Sequence, residues 1–185
     1  MRELTPRPGE VTFRSLLTLG LFGYGLWLMR SIDGYHLLDD VDLAIHEAGH
    51  LVFGWGGEVT TALGGTLLQL MAPLVFAGYF GWRRDWHAVS VPLWWTGQSC
   101  WNVARYVADA RAQELPLVGG GEHDWAFLLA EWNLLGRDEA IARAIRVMGF
   151  GLIVGASFLD GGRSGDHPGG QRSPLEFPGI ADLTS

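Results

Sequence analysis

The chain has 185 residues, a length that fits one domain, with 20 acidic against 13 basic side chains and a formal net charge of -7. Every basic residue is an arginine and none of them cluster, which argues against a nucleic-acid partner. The single Cys100 excludes an intramolecular disulfide, and the acidic stretches 33–42 and 114–139 read as solvated loops.

Residues 1–10 are polar with two prolines. An apolar stretch, 15–29, follows between Arg14 and Arg30; without a small-residue cleavage pattern it reads as a retained first span. The second segment, 36–55, carries Asp39, Asp40 and Asp42 near its start and His46-Glu47-Ala48-Gly49-His50 towards its end, groups that must face protein or water if the segment lies in lipid. The third, 62–82, has no ionisable side chain and is long enough to cross a hydrocarbon core of about 30 Å, with a kink expected at Pro73. A fourth runs over 88–112, apolar at first and then bearing Asn102, Arg105, Tyr106 and Asp109. The segment 124–135 reads as a short amphipathic helix in the membrane interface, and 140–159 as a fifth span. From Asp160 on, Gly, Pro and Ser dominate and the chain is expected to be disordered. Tryptophans at the segment ends, such as Trp27, Trp55 and Trp82, suit headgroup level.

The expected fold is therefore an all-α polytopic membrane bundle of about five transmembrane helices. Residues 1–10 are expected as a polar N-terminal segment, 11–160 as a membrane-embedded metalloprotease-like domain and 161–185 as a disordered tail. Counting crossings places the N-terminus, the 56–61 turn and the 109–138 loop on one side.

The chemistry lies in residues 46–50. On a helix, positions four apart share a face, so His46 and His50 can both direct imidazoles at one ion while Glu47 reaches a water on it. Zinc brings the pKa of such a water towards about 7, and the glutamate takes its proton and later delivers it to the leaving amine. The bland alternative makes the two histidines hydrogen-bonded helix residues beside a protonated Glu47. An iron site is disfavoured because the chain has no second Glu-x-x-His and no His-x-x-His-His, its other histidines (His36, His87, His123, His167) being scattered.

The run His46-Glu47-Ala48-Gly49-His50, a glycine-bearing turn, and then Gly64-Gly65-Thr66-Leu67-Leu68-Gln69-Leu70-Met71-Ala72-Pro73 resembles the core of the site-2 protease (M50) family over about residues 41–82. The stretch 102–121 is also similar to bacterial membrane proteins assigned to that family by motif. The resemblance implies intramembrane zinc proteolysis, with two histidines and a later aspartate as ligands and the motif glutamate as base. The family's later aspartate motif is not matched.

A catalytic zinc needs a third protein ligand and an open position. Asp109 is preferred, because it shares a helix face with Asn102 and Tyr106 and lies on the side towards which His50 points; its competing role is an ion pair with Arg105. His123, with Asp124 beside it in the loop 119–125, comes second, and Asp160 in Leu159-Asp160-Gly161-Gly162 third. Asn102 is a candidate for holding a substrate strand, and Arg105 or Tyr106 for orienting the ligand or stabilising an oxyanion. The expected protein is an intramembrane zinc metalloendopeptidase of the bacterial plasma membrane. Its metal ligands are His46, His50 and Asp109, its base is Glu47, its cofactor is Zn2+, and its partners are the lipid bilayer and membrane-embedded or membrane-adjacent polypeptides. The alternatives are a non-catalytic zinc-binding membrane scaffold and, behind it, a membrane iron oxygenase.

Overall fold

The computed structural model describes residues 16–17, 19–25, 27, 36–117 and 121–161; the polar N-terminal segment and residues 162–185 of the expected disordered tail lie outside them, while residues 160 and 161, expected as its start, are helical. The described residues of the first apolar stretch are helical. After it come α1 (Leu37–Phe53), a 3-10 turn (Gly54–Gly56), α2 (Glu58–Trp82), α3 (Trp86–Ala108), α4 (Asp124–Glu131), a second 3-10 turn (Leu135–Arg137) and α5 (Asp138–Gly161).

Local chemistry sets the boundaries. The Asp39 carboxylate accepts the His36 backbone N–H at 2.8 Å and secures the first turn of α1. Gly57, at φ 90°, turns the chain into α2 through a conformation that side chains with a Cβ rarely adopt. Asp85 caps α3 by accepting from the Ala88 N–H at 3.1 Å. His123 does the same for α4, its Nδ1 accepting from the Ala126 N–H at 3.2 Å.

α1 packs on α2, α2 on α3, and α5 lies along α3. Gly97 and Gly149 let α3 and α5 meet closely, since a Cβ on Gly97 would stand 2.7 Å from the Gly149 carbonyl oxygen. One core cluster gathers Val103, Val107, Trp125, Leu128 and Ala142 from α3, α4 and α5; a second gathers Trp94, Trp101, Ile153 and Ala156. α4 buries Trp125, Leu128 and Leu129 in the first cluster, so it is a core helix and not the interfacial one its amphipathic pattern suggested. The Arg111 Nε–Asp138 Oδ2 pair at 2.6 Å ties the end of α3 to the start of α5.

The bundle of five membrane crossings is not borne out. Among the described residues only two stretches, Glu58–Trp82 and Leu135–Leu159, are long and apolar enough to cross a membrane. α1 has 17 residues, about 25 Å of helix, and it carries four acidic side chains. Its buried aspartates are spent on α3: Asp39 accepts from Gln98 Nε2 at 3.0 Å, and Asp42 from Trp95 Nε1 at 2.9 Å and Ser99 Oγ at 3.0 Å. α3 in turn buries Ser90, Thr96, Gln98 and Ser99. Helices 1 and 3 therefore meet through polar side chains, which satisfy each other inside the protein. The lipid bilayer as partner and the integral location in a bacterial plasma membrane rested on the five crossings, and both are withdrawn with them.

Candidate metal centre

α1 presents Asp42, His46 and His50 at intervals of four, one face of the helix, and that face meets Thr61, Gly65 and Gln69, likewise four apart on α2. Close approach is what the glycines supply. A Cβ on Gly65 would come within 2.5 Å of His46 Nε2, and one on Gly49 would stand 2.7 Å from Gly65 Cα. The third component arrives from far along the chain, where α4 begins at Asp124 and delivers its carboxylate between the two imidazoles.

Asp124 Oδ2 lies 3.1 Å from His46 Nε2 and 3.4 Å from His50 Nε2. Ligand atoms of His46, His50 and Asp124 all fall within 4.8 Å of one another, so the three can hold a divalent metal ion. The hydrogen bonds behind them sharpen the point. His50 Nδ1 is 2.8 Å from the Thr61 carbonyl oxygen, which can only accept, so the proton of that ring sits on Nδ1. His46 Nδ1 is 3.2 Å from Gln69 Oε1, while Gln69 Nε2 donates to Asn102 Oδ1 at 2.9 Å. With Nδ1 of both rings engaged from behind, each Nε2 is turned towards the Asp124 carboxylate, so two imidazole nitrogens and a carboxylate oxygen converge where one cation could be held.

Asp124 is itself held in place. Tyr106 donates its hydroxyl to Asp124 Oδ2 at 3.2 Å and accepts the Asp124 backbone N–H at 3.1 Å. Burial first, and the Asp124 carboxylate second, raise the Tyr106 pKa above its ordinary value, so the hydroxyl stays a donor. The Tyr106 ring lies against the His123 ring at 4.2 Å between centroids.

Asp109, the third ligand expected from the sequence, is not in the cluster. It ends α3 and accepts the backbone N–H groups of Glu114 and Leu115 at 2.9 and 3.1 Å, turning the chain towards the loop that leads to α4. Its Oδ2 lies 3.3 Å from His123 Nε2. His123 points away from the cluster too, because its Nδ1 caps α4; burial lowers its pKa, against the opposing effect of Asp109, and favours the neutral ring. The Asp160 side chain lies outside the described residues. Asp124 stood next to a named candidate in the sequence, yet nothing in its spacing distinguished it from His123. Gln69 and Thr61 were not expected at all, although both fall in or beside the stretch that carried the family resemblance.

A cavity of about 1120 Å³ opens over the cluster, lined by His46, Glu47, His50 and Asp124 and by Asn102 and Arg105 from α3. Glu47 is exposed to it and is not one of the three converging groups. The chain matches no family model, no curated protein and no solved structure. The resemblance to the site-2 proteases is accordingly not supported as membership, and with it and the five crossings goes the reading of an intramembrane protease.

Proposed function

We propose that this protein is a zinc-dependent hydrolase of peptide bonds, with His46, His50 and Asp124 as metal ligands and Glu47 as the general base. The observation that carries the reading is the convergence of two imidazole lone pairs and a carboxylate beside a glutamate that is left uncommitted in the same cavity. Two neutral imidazoles and one carboxylate form a donor set that suits zinc and leaves a position open, as catalytic zinc sites do. When bound, zinc would supply Lewis-acid polarisation of the scissile carbonyl and acidify the attacking water.

The chain's own residues do the rest. Glu47 follows His46 directly, so its carboxylate lies one position round the helix from the ligand face; there it accepts the water's proton and returns it to the leaving amine. Thr61 and Gln69 hold each imidazole by its Nδ1 proton, and Tyr106 fixes Asp124 from behind. The cavity is large enough for a short extended polypeptide segment.

The test is Glu47→Gln assayed in parallel for zinc content and for hydrolysis of an unfolded protein such as casein. The variant should keep one zinc per chain and lose hydrolysis by at least about 100-fold. Wild-type turnover in the variant would refute the assignment of the base. A zinc-loaded wild type that cleaves nothing would leave a non-catalytic metal-binding protein.

A further inference from the structure

The hydrogen-bond chain behind His46 has a direction, and it is the direction that metal binding by His46 Nε2 requires. Coordination through Nε2 requires that Nδ1 carry the ring proton. Nδ1 then donates to Gln69 Oε1, which turns the Gln69 amide so that Nε2 donates to Asn102 Oδ1 at 2.9 Å. Gln69 is only 2% exposed and has little freedom to do otherwise. Asn102, half-buried on the cavity wall, must then keep both hydrogens of Nδ2 for something else. Among the described residues Asn102 Oδ1 makes the one hydrogen bond of the side chain, and Nδ2 is left to the cavity.

We infer that Asn102 Nδ2 is the donor that grips a backbone carbonyl of the bound polypeptide beside the metal, its orientation imposed by His46 through Gln69. This rests on the hydrolase reading and extends it. A donor on that wall suits an extended substrate, whose carbonyls have lost their partners and need replacement ones.

Two substitutions separate this from a structural role. Asn102→Asp keeps an oxygen to accept from Gln69 Nε2 but removes the donor. Gln69→Glu keeps the acceptor for His46 Nδ1, and so the zinc, but obliges Asn102 to turn its Nδ2 inward to the new carboxylate. The readout is binding of two probes to the zinc-loaded protein by calorimetry: acetohydroxamate, which reaches only the metal, and an N-acetylated dipeptidyl hydroxamate, which adds backbone carbonyls. Both variants should still take up zinc and bind acetohydroxamate, and the ratio of dipeptidyl to acetohydroxamate affinity should fall by about tenfold in each, the worth of one hydrogen bond lost. An unchanged ratio of the two affinities in both variants overturns the role of Asn102 and leaves the hydrolase reading standing. A folded wild type that takes up no zinc overturns both.

Discussion

Replacing Asp124 and Asp109 separately by alanine sets the geometry of the cluster against the expectation from the sequence. Asp124 Oδ2 stands within 3.4 Å of both imidazole nitrogens, whereas the Asp109 oxygens are engaged by two backbone N–H groups and face His123. A four-ligand zinc site binds with about 10–16 kcal/mol, or about 3 kcal/mol for each ligand. Asp124→Ala should therefore weaken zinc by at least about 100-fold. Asp109→Ala removes acceptors for two backbone groups, a stability cost of about 1–3 kcal/mol, and reaches the metal only through the placement of the loop and of α4, so zinc should weaken by about tenfold or less. Competition with a chromogenic chelator on the purified variants measures both, with circular dichroism to confirm the helices. Loss of zinc in Asp109→Ala together with wild-type affinity in Asp124→Ala would refute the placement of the third ligand.

Tyr106→Phe deletes the donor to Asp124 Oδ2 and the acceptor of its backbone N–H, and should lower zinc affinity by about 10-fold in the same chelator assay. Gly65→Ala would push a methyl to within 2.5 Å of His46 Nε2, so zinc uptake should fall well below that of wild type while the helical signal in circular dichroism persists. Burial raises the Asp42 carboxyl from 3.8 to about 6, with Asp39 adding to the shift and the Trp95 and Ser99 hydrogen bonds opposing it. Because the folded state then holds this proton more tightly than the unfolded chain, the contribution of Asp42 to stability falls as pH rises from about 4 to 6, by up to about 3 kcal/mol. Asp42→Asn should accordingly raise the melting temperature at pH 8, with the gain disappearing below about pH 4; equal gains at both pH values would count against a charged, buried Asp42.

Helices were legible along most of the described chain, since the apolar runs, Gly54–Gly57 and Asp85 mark the starts and stops by local rules. So was the pairing of His46 with His50, because helical periodicity alone places the two imidazoles together. What the chain order did not show was the partners of Asp39 and Asp42, which are Gln98, Trp95 and Ser99, more than fifty positions away. The pairing of α1 with α3 sets those contacts, and no window along the chain contains both helices.

The same holds for the third ligand. Asp109 and Asp124 are both acidic and both lie on the expected side, and helix position put Asp109 first, with Asp124 entering only beside His123 in the loop 119–125. Only packing separates them: Val103, Val107, Trp125 and Leu128 seat α4 against α3, and the Tyr106 hydroxyl then fixes the first residue of α4 between the imidazoles. By itself the sequence determined a helical protein with two histidines placed to share one ion. The tertiary structure decided which carboxylate completes the set, because a ligand is defined by distances of a few ångströms between atoms that the chain brings together from 78 positions apart.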